Sequence, residues 1–139
     1  MKQKVLISAC LLGVECRYDG QHCKREFLID KQNEFEFIPV CPEELGGLPT
    51  PRPPAEIQNN GKVETKAGVD VTSQYNDGAQ KAFEAVKNDD VKLAYLKSRS
   101  PMCGCGEIYD GSFTGNKKGG DGIFARLLKS KGIKIIPVD

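Results

Sequence analysis

The groups with the most chemistry in this chain are six cysteines, set against a single histidine and no tryptophan. Two of them, Cys10 and Cys16, lie in SACLLGVECRYDG, where an apolar run has just ended and glycines punctuate the turns. Cys41 closes FEFIPVC, and Cys103 and Cys105 share SRSPMCGCG. Cys23 sits beside His22 in the polar stretch YDGQHCKRE, which reads as a solvated loop. One histidine excludes a His-rich zinc hydrolase, and a Cys–His nucleophile pair would have to use His22. The cysteine density is below that of a disulfide scaffold, and a reducing cytosol disfavours structural disulfides. The thiols are therefore buried fillers, metal ligands or catalytic groups.

Their spacing narrows the choice without closing it. No C-x2-C pair is present, which weakens a zinc-ribbon reading, because such sites are built from close pairs. Thiolates from separate loops can instead hold an iron–sulfur cluster. The N–H groups of glycine-rich turns such as CLLG and CGCG would hydrogen-bond the sulfurs and lower their pKa values. Any one cysteine can be a small hydrophobic filler. Four of them at strand ends, within Gly/Pro-rich loops, make a poorer case for filler alone. Cys23 and Cys105 receive no role.

The elements that must position these thiols are strands alternating with helices. KVLISAC (4–10) reads as a buried strand, and FEFIPVC (35–41) as a second one. Pro39 in the second cannot donate to a ladder, so it belongs at an edge or a strand end. VKLAYLKS (91–98) and IKIIPV (133–138) supply the third and fourth. A short helix is expected over 24–32. A longer one runs from Ser73 to about Lys87, with Thr72 as its cap and a core stripe of Tyr75, Ala79, Ala82, Phe83 and Val86. A last helix lies in GDGIFARLLKSKG, with Asp121 as its cap and Gly132 as its stop. Residues 42–72 read as a long, ordered, irregular loop holding the hairpin EIQNNGKVET, turned at NNG.

This alternation implies one doubly wound α/β domain over residues 1–139, with a mostly parallel, four-stranded, flavodoxin-like sheet ordered 2-1-3-4. Strands in a parallel sheet end on the same edge. Cys10, Cys41 and Cys103 are thereby brought to one rim, with Cys16 in reach, at the point where strand order reverses and open α/β sheets bind ligands.

The totals exclude several function classes. A formal charge of +1 gives no support for a nucleic-acid or membrane role. No apolar stretch approaches the ~18 residues of a membrane span, and MKQKVLISACLLG lacks signal-peptide form. A cytoplasmic protein acting on a small molecule is expected.

Several motifs together resemble one family. SACLLGVECRYDG, VCPEELGGLPTPRPPAEI, GVDVTSQYNDGA, LKSRSPMCGCGEIYDGSFTG and GDGIFARLLKSKGIKII, in that order from about Val5 to Ile136, are similar to the thiouracil desulfidases, in the form without a further C-terminal domain. The resemblance implies a [4Fe–4S] cluster held by three cysteines with one iron open. It implies removal of sulfur from 4-thiouracil or 4-thiouridine monophosphate, with release of sulfide. On the matching motifs the ligands are Cys10, Cys16 and Cys103, with Cys41 as the alternate. Glu43 takes the acid/base position and Ser100 a polar position beside the cluster. Arg52 and the loop IYDGSFTG (108–115), with Tyr109, Asp110 and Gly111, are expected to contact a nucleotide substrate. Where the family pattern has SPSCG this chain has SPMCG, so Met102 replaces a serine. A non-enzymatic zinc-binding or thiol-redox module is the alternative.

Overall fold

The computed structural model describes residues 2–139. Its centre is a parallel sheet of β1 (Gln3–Ser8), β2 (Phe35–Val40), β5 (Leu93–Lys97) and β8 (Lys134–Val138), ordered β2-β1-β5-β8. Two antiparallel hairpins stand apart from it, β3 (Ala55–Ile57) with β4 (Val63–Thr65), and β6 (Glu107–Tyr109) with β7 (Lys117–Gly119). The strand order is the expected one, with β5 and β8 as the third and fourth strands. Pro39 and Pro137 fall in the two edge strands, where a missing N–H can be turned away from the ladder.

Alternation along the central strands sends side chains to two faces. Leu6, Ala94 and Leu96 meet α3 (Thr72–Glu84) and α4 (Ile123–Ser130), which add Ala79, Ala82, Phe124 and Leu128 to one core. Val5, Ile7 and Tyr95 face the other way, where α1 (Glu26–Asp30) contributes Leu28. Phe37 meets Tyr95 edge to face there, with ring centroids 6.0 Å apart. Helices cover both faces, which is the doubly wound arrangement. Among the described residues no helix is long and apolar enough to cross a membrane.

Both expected helix caps are corrected. Thr72 is the first helical residue of α3. Its hydroxyl donates to Asp70 Oδ1 (2.6 Å) and accepts the N–H of Val63 (2.9 Å), which ties the helix start to β4. Asp121 precedes Gly122, the residue that opens α4, and is drawn elsewhere. It accepts the N–H of Gly106 (2.8 Å) and pairs with Lys129 (2.9 Å). Helix α3 also stops at Glu84, short of Lys87.

The irregular stretch after β2 contains a helix that the sequence does not announce. Residues Pro42–Leu45 form α2, opened by a proline, whose fixed φ and missing N–H suit a first turn. It packs against α3 with no room for a side chain between them. A Cβ at Gly78 would stand 1.9 Å from the Pro42 carbonyl oxygen, and one at Gly46 would stand 2.0 Å from that of Gln74. This backbone contact fixes α2, and with it Cys41 and Glu43. Gly78→Ala is expected to push α2 off α3 and cost about 1–3 kcal/mol, as overpacking does, read as a lower midpoint in urea unfolding.

Candidate functional site

A cleft of ≈ 460 Å³ opens beyond the C-terminal ends of β1, β2 and β5, with residues of both hairpins on its walls. Strand β1 ends at Ser8, and residues Ala9–Leu12 turn at once into a 3-10 helix. Cys10 lies in that turn, and its carbonyl accepts the N–H of Cys23 (2.9 Å). Cys41 leaves β2 directly ahead of α2. Cys103 comes from the turn after β5, where Ser100 Oγ accepts the N–H groups of Met102 (3.0 Å) and Cys103 (3.1 Å). That turn is pressed onto the start of α4, since a Cβ at Gly122 would lie 2.5 Å from the carbonyl carbon of Met102.

Cys10, Cys16, Cys41 and Cys103 all line the cleft, whereas Cys23 and Cys105 do not. Cys41 Sγ donates to the Cys16 carbonyl at 3.7 Å, and the Ser8 hydroxyl accepts the N–H of Lys97 at 3.0 Å. Three of these thiols, Cys16, Cys41 and Cys103, resist ionisation. The Cys16 thiol is pushed up to about 12, chiefly by Cys10. Cys41 is raised by Cys16 and then by burial. Cys103 is raised by burial first and by the charge of Glu43 next. Positive charge brought among them reverses this balance, because a coordinating thiol is deprotonated.

Among the described residues no three His, Cys, Asp or Glu side chains converge as ligands of one metal ion do. A polynuclear cluster takes each thiolate at a different iron and asks for no such convergence. Four soft donors around one open space, with no imidazole among them, are a donor set that fits it.

Glu43, in the first turn of α2, pairs with Arg52 at 3.3 Å, with the two side chains 15% and 5% exposed. Burial raises the Glu43 carboxyl above the usual range, and Arg52 opposes the shift. Glu44 is exposed and takes the Thr50 hydroxyl. Arg52 is not free to meet an anion. Its guanidinium also donates to the carbonyls of Cys16 (3.0 Å) and Pro49 (3.3 Å) and to Thr50 Oγ1 (3.0 Å). It holds the wall together.

The other expected contacts separate. Tyr109 and Ser100 line the cleft. Asp110 and Gly111 do not. Asp110 is occupied in a turn, accepting the N–H (2.9 Å) and hydroxyl (2.5 Å) of Ser112. The Gly111 N–H is given to Glu56 (3.0 Å). Met102 is fully buried and points into the core formed with α4, away from the cleft. The substitution of SPMCG for SPSCG therefore changes a core-facing position, and Ser100, which lines the cleft, is untouched by it.

Sequence reasoning missed Tyr75 and Glu56, which also stand on the walls, whereas Phe113 belongs to the 108–115 loop expected at the rim. Tyr75 belongs to the core stripe of α3, and nothing in the spacing tells its ring from a filler. Burial and the nearby charge of Glu43 raise its phenol.

The family described as 2-thiouracil desulfurase matches residues 5–139. The chain belongs to the 2-thiouracil desulfurase family. Within that similarity the Bacillus subtilis (strain 168) protein YbbK is 41% identical over 141 residues, spanning 95% of this chain and 93% of that protein. A solved structure, the [4Fe-4S]-dependent thiouracil desulfidase TudS, superposes with a TM-score of 0.90 at 42% identity. The match covers 98% of this chain and 91% of that one. TudS thus shares this fold over nearly the whole chain.

Removing Arg52 leaves a buried carboxylate without its partner. Arg52→Ala is expected to cost about 3–5 kcal/mol in denaturant unfolding. Adding Glu43→Gln should recover part of that loss, because no charge is then left uncompensated.

Proposed function

We propose that this chain is an iron–sulfur-dependent thiouracil desulfidase acting as a single domain. It removes sulfur from 4-thiouracil or 4-thiouridine monophosphate as C=S becomes C=O. The observation that carries this reading is one cleft lined by Cys10, Cys16, Cys41 and Cys103 together with Glu43 and Ser100, in a fold shared with TudS. Cys10, Cys16 and Cys103 would hold a [4Fe–4S] cluster, with Cys41 as the alternate ligand. When bound, such a cluster with one iron free of cysteine supplies a soft Lewis acid for a thione sulfur.

The chain's own residues account for the rest. Glu43 takes a proton from the water that attacks the ring carbon, and Arg52 keeps its carboxylate aimed. The oxygen of Ser100 is occupied by two backbone N–H groups, which leaves its proton to donate into the cleft. Tyr75, Tyr109 and Phe113 give aromatic walls suited to a flat heterocycle. Thiocarbonyl and water become the ring carbonyl and hydrogen sulfide, so atoms balance without electron transfer and the reaction is a hydrolysis. We place it in the cytoplasm, where free thiols stay reduced. A non-enzymatic zinc or thiol-redox module is not favoured by kinship with a desulfidase.

Anaerobic reconstitution with iron and sulfide should give a brown protein that releases sulfide from 4-thiouracil, with 2-thiouracil as the comparison substrate. Glu43→Gln is expected to keep the colour and lose about 10²–10⁴-fold in kcat. Alanine at Cys10, Cys16 or Cys103 should abolish the visible absorption, whereas Cys41→Ala should retain it. Met102→Ser should leave turnover unchanged. A colourless protein that takes up only zinc would sink the desulfidase reading, and an unaffected Glu43→Gln rate would remove the base.

A further inference from the structure

The desulfidase chemistry leaves one cleft carboxylate unused. Glu56 on β3 is 9% exposed and lines the cleft. Its Oε1 accepts the N–H groups of Gly111 (3.0 Å) and Phe113 (3.2 Å). Among the described residues its other oxygen, Oε2, accepts no hydrogen bond and no cation pairs with it. No side-chain oxygen among those residues is both sealed from solvent and without a partner. Oε2 therefore keeps contact with solvent, and Glu56 is one of the residues that line the cleft.

A second observation makes this carboxylate costly as a mere fastener. Glu56 stands directly opposite Glu64 across the β3–β4 hairpin, and like charges facing one another across an antiparallel pair are destabilising. Holding the 111–113 turn needs only an acceptor, which a glutamine amide oxygen also provides. What glutamate adds is acceptor character at both oxygens, where glutamine would present a donor at the second. The turn so held carries Phe113, a cleft residue at φ 58°, a conformation uncommon outside glycine.

We propose that Glu56 is a specificity-determining residue: Oε2 accepts a hydrogen bond from an N–H or O–H donor of the substrate, while Oε1 holds the N–H groups of Gly111 and Phe113. The inference rests on the desulfidase reading for its substrate. Two parts of a thiouracil compound offer that donor: the ring N–H beside the thiocarbonyl, and the hydroxyls of an attached ribose, which acidic side chains commonly bind.

Glu56→Gln keeps an acceptor for the turn and sets an NH2 donor against the substrate's donor. Reconstituted wild type and variant are compared on two pairs: 4-thiouracil with its 3-methyl derivative, and 4-thiouridine with 2′,3′-dideoxy-4-thiouridine. Hydrogen bonds to a charged group are worth about 1.5–3 kcal/mol, so kcat/KM should fall roughly 10–100-fold on one donor-bearing compound. It should not fall on the partner that lacks that one donor, and the thermal midpoint should not drop, because the variant also removes the repulsion between Glu56 and Glu64. A contrast within the first pair assigns the ring N–H, and one within the second assigns the sugar. Equal losses within both pairs, or no loss in either, overturn the proposal. Titration of the oxygen counterparts (uracil, 3-methyluracil, uridine and 2′,3′-dideoxyuridine) onto the same holoproteins reads that contrast as binding. A wild type that releases no sulfide would defeat the desulfidase reading, while those titrations still decide the role of Glu56.

Discussion

A single guanidinium joins the segments that make the cleft. Arg52 reaches Glu43 on α2, the carbonyl of Cys16 on the loop after β1, and the Pro49–Thr50 turn of its own segment. Each partner alone has weak reasons to stay where it is. Helix α2 is one turn long, and the loop after β1 has no ladder to hold it. Burial makes the arrangement strong, because the low local dielectric that raises the Glu43 carboxyl also strengthens its attraction to Arg52. The close backbone approach at Gly46 and Gly78 then braces α2 from behind. Positions of Cys16, Cys41 and Glu43 are thus linked, and a displacement of one reaches the others.

That linkage matters because the thiols oppose one another. Four of them share one cleft, and three have their ionisation suppressed by burial, by neighbouring sulfur or by Glu43. A protein gains nothing in stability from this crowding. Loading with a cationic cluster releases thiol protons, so affinity depends on pH and on how firmly the walls hold the sulfurs apart. Rigid supports, among them the sheet ends, the α2–α3 contact and the turn pressed on α4, are what keep such a donor set from collapsing.

The sheet was legible in the sequence because its signals are local and agree with one another. Apolar runs ending in glycine or proline mark the four strands, and Pro39 limits β2 to an edge or a strand end, of which the strand order takes the edge. The convergence of Cys10, Cys41 and Cys103 was legible for a topological reason, since parallel strands end on one side whatever their side chains. Less was legible where long-range partners decide. Thr72 and Asp121 look like caps by spacing, yet Val63 in one case and Gly106 and Lys129 in the other offer them better partners. Arg52 looks like an anion contact in a proline-rich loop until Glu43 is placed beside it. Tyr75 is hidden by its helical stripe, because a cleft wall and a core share the same apolar face.

The turn Ser100–Cys103 shows how one short segment divides two duties. Ser100 Oγ accepts the N–H groups of the residues two and three ahead, so the turn shapes itself around that oxygen. Its backbone then directs Cys103 to the cleft and Met102 into the core against Phe124 and Leu128. A serine at the methionine's position would place a hydroxyl in that core, whereas methionine is unbranched and fills irregular space well. The departure from the family pattern thus falls on the packing side of the turn. On the other side, one hydroxyl accepts two backbone N–H groups, and the turn that carries Cys103 closes around it.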